Sequence, residues 1–274
     1  MHRPIPLRLD KATLLQRLAA RQPVTALGVR SARTPEIARI AAASGHQVLW
    51  VDLEHSAMPL EAAAQICHCA LDLGLLPLVR VTEREYGAIG RLLDCGAMGL
   101  IFPRIETAAQ AAELVAACRF PPLGQRSAIA LLPQFGLQRL KPAQLYAAAN
   151  AQVLVKVLIE SPLGLRNLAE IAAVPGVDLL AIGANDLSAE LGAPGDYRHP
   201  AFLAALDGAL ATAQAAGKPL VIGGVGDAAL LAEYLQRGAA PFLMTGTDTD
   251  LLLGAAQARV QQALAALPPA FQTV

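Results

Sequence analysis

Eight short apolar segments alternate with Ala/Leu-rich segments of helical periodicity, and this pattern predicts a (β/α)8 TIM barrel with an extra N-terminal helix. The alternation runs unbroken along the chain, as a parallel sheet covered by crossover helices requires. Its 274 residues, 54% of them hydrophobic, can bury one large α/β core. The rival open doubly wound sheet lacks its usual signal. The turn Gly28-Val29-Arg30-Ser31-Ala32-Arg33 has no dinucleotide glycine fingerprint, and no Walker-type phosphate loop follows any strand.

In chain order, strands are expected at residues 24–29, 48–53, 76–79, 99–102, 153–159, 179–182, 220–223 and 242–245. Helical periodicity marks 59–73, 107–119, 163–173, 201–216, 228–237 and 249–267. Thr34-Pro35 and Ser161-Pro162 each place a capping residue before a first-turn proline. Gly74, Gly176, Gly217 and Gly238 stand where helices should stop before the next strand. The long irregular stretch 123–141 (LGQRSAIALLPQFGLQRLK) is expected to be an active-site loop, not a linker, leaving residues 1–274 as a single barrel domain.

Composition excludes several classes. Lys and Arg total 22 against 22 Asp and Glu, with no charge runs, so the basic face of a nucleic-acid binder is missing. The hydrophobic content excludes disorder, and no uncharged stretch reaches the ~18 apolar residues of a membrane span. Pro, Arg, Asp and Lys interrupt the first twenty residues, which rules out a signal-peptide apolar region and makes a cytoplasmic protein the expectation. In Cys67-His68-Cys69 the two thiols point in different directions on a helix, so the four cysteines read as reduced core residues.

A barrel carries its chemistry at the C-terminal ends of its strands. The second predicted strand ends in Asp52-Leu53-Glu54-His55, the third in Arg80, the fifth in Glu160, and the sixth in Gly183-Ala184-Asn185-Asp186. Each has a plain structural alternative. Asp186 could cap a helix, Arg80 could pair with a carboxylate, His55 could be a solvated loop residue, and Glu160 could accept from the next helix's amides. Together they describe chemistry. Two carboxylates fit a hard divalent cation with positions left open for a 2-oxo acid. Arg80 adds fixed charge for a developing oxyanion, His55 can carry a proton near neutrality, and the amides of Ala184, Asn185 and Asp186 can hold a carboxylate. Arg30 and Arg33, after the first strand, are candidates to recognise an anionic aldehyde. Trp50 is expected to pack between sheet and helices, and Gly223-Gly224 to leave room for a substrate's distal part. Lys156 shares a strand face with Leu158 and Glu160 and therefore faces the interior, either paired with a carboxylate or free as a Schiff-base amine.

From Leu27 to Leu252 the sequence resembles the HpcH/HpaI aldolase and citrate lyase family. The resemblance rests on Val51-Asp52-Leu53-Glu54-His55, Val79-Arg80, Leu92-Leu93-Asp94-Cys95-Gly96-Ala97, Pro121-Pro122-Leu123-Gly124-Gln125-Arg126, Leu158-Ile159-Glu160-Ser161 and Ile182-Gly183-Ala184-Asn185-Asp186-Leu187-Ser188. It implies a homo-oligomer, usually a hexamer, with the C-terminal helix exchanged between subunits. It implies Mg²⁺, Mn²⁺ or Co²⁺ on Glu160 and Asp186, an enolate-stabilising Arg80, a catalytic His55, and an Asp94 that orients the histidine of a neighbouring subunit. The chain departs from the family at Leu158, where glutamine is common, at Ser127 for glycine, and at Ala184 for proline. The implied activity is a class II aldolase that reversibly cleaves a 4-hydroxy-2-oxo acid to pyruvate and an aldehyde, with small-molecule substrates and neither nucleic acid nor membrane as partner. The alternatives are an acyl-CoA thioester lyase of the citrate lyase branch and a non-catalytic binding barrel.

Overall fold

The computed structural model describes residues 9–82 and 86–268. Helix α1 (Lys11–Ala19) precedes β1 (Val24–Val29), α2 (Glu36–Ala43), β2 (Val48–Asp52), α3 (Leu60–Asp72), β3 (Leu76–Arg80) and α4 (Tyr86–Asp94). Then come β4 (Gly99–Phe102), α5 (Ala108–Cys118), α6 (Pro142–Gln152), β5 (Leu154–Ile159), α7 (Pro162–Arg166), α8 (Leu168–Ala173), β6 (Leu179–Gly183) and α9 (Ala184–Glu190). The chain closes with α10 (Pro200–Ala215), β7 (Leu220–Gly223), α11 (Ala228–Arg237), β8 (Phe242–Thr247) and α12 (Asp248–Ala265). All eight strands are parallel, in the order β7-β6-β5-β4-β3-β2-β1-β8. They form a nearly closed barrel of the TIM type, as the alternation predicts.

Strand alternation splits the core in two. Leu27, Val29, Leu49, Val51, Val79, Val155, Val157, Ile159, Leu180 and Ile182 point outward into the helices. Val24, Ala26, Val48, Trp50, Leu76, Leu78, Leu154, Leu158, Leu179 and Phe242 fill the barrel, together with Leu14 and Leu18 of α1. Helix α1 therefore plugs the N-terminal end. Asp10 caps it by accepting the Thr13 N–H at 2.8 Å, and Lys11 Nζ ties it to Asp178 at 2.6 Å.

Local signals explain most boundaries. Ser161 accepts the Gly164 N–H at 3.1 Å and opens α7, and Thr107 with Gln110 makes a capping box on α5. Gly238 ends α11 at φ 116°, a left-handed turn that a side chain would resist. Two expectations are corrected. Thr34 does not cap α2, which starts at Glu36 with Pro35 in the capping position, a residue whose side chain has no acceptor; Thr34 contributes only its backbone carbonyl, to the Ile37 N–H at 3.4 Å. The helix expected at 163–173 breaks at Asn167, whose side-chain amide donates to the Glu106 carbonyl at 2.7 Å and anchors the break. Among the described residues no helix is long and apolar enough to cross a membrane.

Candidate active site

The strand ends converge on a cavity of about 130 Å³ lined at its mouth by Arg30, His55, Arg80, Glu160, Ala184, Asn185, Asp186, Gly223 and Gly224. Deeper walls come from Trp50, Ile101, Lys156, Leu158, Ala181 and Met244. Every polar strand end singled out from the sequence reaches this one space, and so do the two glycines that leave it open.

Arg80 is buried and held on two sides. Its Nε and Nη2 donate to Asp52 Oδ1 and Oδ2 at 2.9 and 2.7 Å, and Nη1 lies 2.9 Å from Glu54 Oε2. Two of the guanidinium's five N–H groups are thereby hydrogen-bonded to Asp52 and Nη1 is ion-paired with Glu54, which leaves donor capacity for a ligand. Its plane sits over Trp50, 5.0 Å from the ring centre. Trp50 thus lines the cavity, against the expectation that it packs among the helices. Positions 48, 50 and 52 share the interior face of β2, while Leu49 and Val51 take the outer one.

Asp52 is the hub that sequence reading left without a role. Besides Arg80 it accepts Arg30 Nε at 2.7 Å and the backbone N–H of Glu54 and His55 at 3.1 and 3.3 Å. Burial alone would raise its carboxyl, but the hydrogen bond and charge of Arg80, with help from Arg30, hold it below its usual range. The signal was present in the sequence, since a carboxylate two positions from Trp50 on an interior face needs a buried cation.

Glu160 is 6% exposed. Its Oε2 accepts the Arg104 N–H at 2.9 Å from the loop after β4, not an amide of the next helix, which Ser161 already caps. Arg104 adopts φ 51° to aim that N–H, a backbone region a non-glycine residue rarely takes. Burial pushes the Glu160 carboxyl up to about 7, and the neighbouring Glu54 and Asp186 add to the rise against the opposing pull of Arg104 and Arg80. Gly183 makes room for it, because a Cβ there would fall 2.1 Å from Oε1. Asp186 does not cap α9. It is exposed in the first turn, on the rim beside Asn185, whose side-chain oxygen accepts the Tyr197 hydroxyl.

His55 is 55% exposed at the rim, its Nε2 3.9 Å from Glu54 Oε2. Arg33 lies away from the cavity and folds its guanidinium onto the Arg30 carbonyl at 2.7 Å. Asp94 is not among the cavity residues either and pairs with the buried Arg126 at 2.6 Å. No residue of 123–141 lines the cavity, which corrects its expected role as an active-site loop of this chain. Gln134 and Arg126 pull that stretch down onto the end of α4, and Phe120, Leu132, Leu145 and Ala149 give it a small core of its own. Among the described residues all four cysteines are free, and burial pushes the Cys67 and Cys118 thiols up to about 12.

A barrel that gathers carboxylates, a guanidinium and an imidazole at one end of its strands defines the class of (β/α)8 barrel enzymes. Within that class the chain belongs to the HpcH/HpaI aldolase/citrate lyase family, whose sequence profile matches residues 29–255. It is 37% identical over 246 residues to a 4-hydroxy-4-methyl-2-oxoglutarate aldolase of Chaetomium globosum, covering 89% of this chain and 91% of that protein. It is 36% identical over 244 residues to a hydroxypyruvate/pyruvate aldolase of Cupriavidus necator, covering 88% of both. Among solved structures, an HpcH/HpaI aldolase from Desulfitobacterium hafniense superposes with a TM-score of 0.85 at 27% identity, over 93% of this chain and 98% of that one.

Proposed function

We propose that this protein is a divalent-metal-dependent carbon–carbon lyase that reversibly cleaves a 4-hydroxy-2-oxo acid to pyruvate and a carbonyl fragment. The observation that carries this reading is the placement of Glu160, Asp186, Arg80 and His55 around one small cavity. The names of the relatives support it, since retro-aldol cleavage of 4-hydroxy-4-methyl-2-oxoglutarate yields two molecules of pyruvate.

The donor set fits a hard cation. Glu160 is buried close enough to Glu54 and Asp186 for each to raise its carboxyl, and a positive ion held by Glu160 and Asp186 would relieve that repulsion. Two protein carboxylates fill only part of a hard cation's coordination shell and would leave positions open for substrate oxygens. When bound, Mg²⁺, Mn²⁺ or Co²⁺ supplies Lewis-acid charge to the 2-oxo acid.

The protein's own groups do the rest. The Arg80 N–H groups not bonded to Asp52 stabilise the oxyanion of the pyruvyl enolate, and Asp52 and Glu54 hold the guanidinium rigid for that task. First-turn amides of Ala184, Asn185 and Asp186, which lack helical acceptors, bind the substrate's C1 carboxylate. His55 takes the proton of the C4 hydroxyl as the C3–C4 bond breaks, the enolate carbon C3 then takes up a proton from solvent to give pyruvate, and both transfers reverse in the aldol direction. Asp94 would orient that histidine from a neighbouring subunit. Arg30, at the cavity mouth, steadies Asp52 and through it the Arg80 guanidinium.

Oligomerisation is part of the proposal. None of the 18 residues of α12 is buried, and Leu251, Leu252, Leu253, Val260 and Leu264 are exposed on it. An apolar helix of this kind needs a cover, and exchange of α12 between copies supplies one.

The test is pyruvate release from a panel of 4-hydroxy-2-oxo acids by protein stripped with EDTA and then given Mg²⁺, Mn²⁺ or Co²⁺. We expect no release after stripping and recovery with metal. Cleavage confined to acyl-CoA thioesters, or no turnover at all, would move the assignment to a thioester lyase or a binding barrel.

A further inference from the structure

Below the mouth the cavity passes between Ile101, Leu158, Ala181 and Met244 and ends at Lys156. Lys156 is 3% exposed on the interior face of β5, in register with Ile101 and Leu179 on the strands either side. Its Nζ lies 4.6 Å from the centre of the Phe242 ring on β8, a strand not adjacent to β5, so the side chain reaches across the barrel. Among the described residues no carboxylate pairs with it. Burial, with Arg80 adding repulsion, pushes its ammonium down to about 7.

The other cations on this cavity are already matched, Arg80 by Asp52 and Glu54, and Arg30 by Asp52. The indole N–H of Trp50, on the same cavity, is also buried without a partner. Charge therefore changes sign along the cavity, with carboxylates at the mouth and one unmatched ammonium at the floor. A buried charge without a partner is among the costliest features a core can hold, and a methionine would fill the same space without that cost. Such groups mark ligand sites when a cavity leads to them.

We propose that Lys156 makes the cavity floor an anion subsite for the second carboxylate of a dicarboxylic 4-hydroxy-2-oxo acid, and so selects dicarboxylic over monocarboxylic substrates. The inference rests on the aldolase reading for its substrate and on the unpaired ammonium for its residue. A space of 130 Å³ holds about four waters and admits a compact diacid. With the C1 carboxylate at the α9 amides, the far carboxylate is the end directed to the floor.

The experiment compares 4-hydroxy-2-oxoglutarate with 4-hydroxy-2-oxopentanoate in the metal-loaded wild type, Lys156→Met and Arg30→Met. In Lys156→Met we expect kcat/KM for the diacid to fall about 30-fold or more through KM, the scale of removing one partner from a buried charge pair, while the monoacid changes less than about 3-fold. The Tm of Lys156→Met should equal or exceed that of the wild type, because an unpaired buried charge is replaced by an apolar side chain of similar length. Calorimetric titration with glutarate reads the subsite without turnover and should show binding to the wild type that Lys156→Met weakens. Equal losses on both substrates, or discrimination lost only in Arg30→Met, would overturn the assignment. So would a borohydride-trapped pyruvyl adduct on Lys156, formed by condensation of the amine with the keto carbon and loss of water. If the wild type cleaves neither acid the aldolase reading fails, and the glutarate titration still decides the subsite.

Discussion

At the scale of single residues, Asp52 and Glu160 show one physical rule with opposite outcomes. Both carboxylates are buried, but Asp52 meets two guanidinium groups and stays charged, while Glu160 meets one N–H and two other carboxylates and is pushed to about 7. The Asp52 shift has a consequence for stability. Its folded pKa lies below the unfolded value near 3.9, so its contribution is complete above that value and is lost as pH falls through the folded pKa. Thermal melts of wild type and Asp52→Asn should differ at pH 7, the variant melting lower because Arg80 loses its buried partner, and the gap should close below about pH 4. A gap that stays constant from pH 7 to 3 would show that the pair does not form. His55 is different in kind. Exposed on the rim, it bears little on the fold, so His55→Ala should leave the Tm unchanged and slow cleavage about 10²–10⁴-fold, the range for a lost general base. Arg80→Lys should also be damaging, since lysine keeps the charge but cannot hold Asp52 in a two-pronged bond.

Elements contribute by presenting their ends. Strand β6 runs directly into α9 with glycine at the joint, and that glycine is required by space, not by backbone angle, since its φ of −89° suits any residue. A methyl group at Gly183 would sit 2.1 Å from Glu160 Oε1, so Gly183→Ala must turn Glu160 away from the Arg104 N–H. We expect a folded variant with more than about 10²-fold lower activity, the loss typical when a reacting group is misplaced by about 1 Å. Wild-type activity in Gly183→Ala would place the working carboxylate elsewhere. At the opposite end α1 closes the barrel floor with Leu14, which is fully buried, and Leu14→Ala should cost about 2–5 kcal/mol in denaturant unfolding with little effect on KM.

For the whole molecule the outer face of α12 matters most. Leu252 is 71% exposed and Val260 55%, a pattern an isolated protein would not maintain along 18 residues. Light scattering should report an assembly for the wild type, a hexamer by family resemblance. The double variant Leu252→Glu, Val260→Glu should dissociate it into smaller species whose barrel still melts cooperatively. A monomeric wild type would remove the exchange of α12 from the proposal, and with it any role for Asp94 on a neighbouring histidine.

What the sequence alone determined is the layer order and the mouth. Hydrophobic periodicity is local, so all eight strands lie within two residues of their expected bounds. The parallel crossover rule then sends each strand end to the same face, which is why His55, Arg80, Glu160 and Asp186 could be grouped without coordinates. Lys156 was legible by the same alternation, which places it on the face of Leu158 and Glu160. Only the tertiary structure decided the pairings. That Asp52 binds Arg80 and Arg30, that an N–H from the loop after β4 and not from α7 holds Glu160, and that Asn167 breaks a helix all join residues far apart in the chain. The stretch 123–141 packs beside α4 and not over the cavity for the same reason, because Asp94 and the carbonyl of Leu93 hold its Arg126 and Gln134. Burial and charge at such contacts depend on what three dimensions bring near, and periodicity carries no record of that.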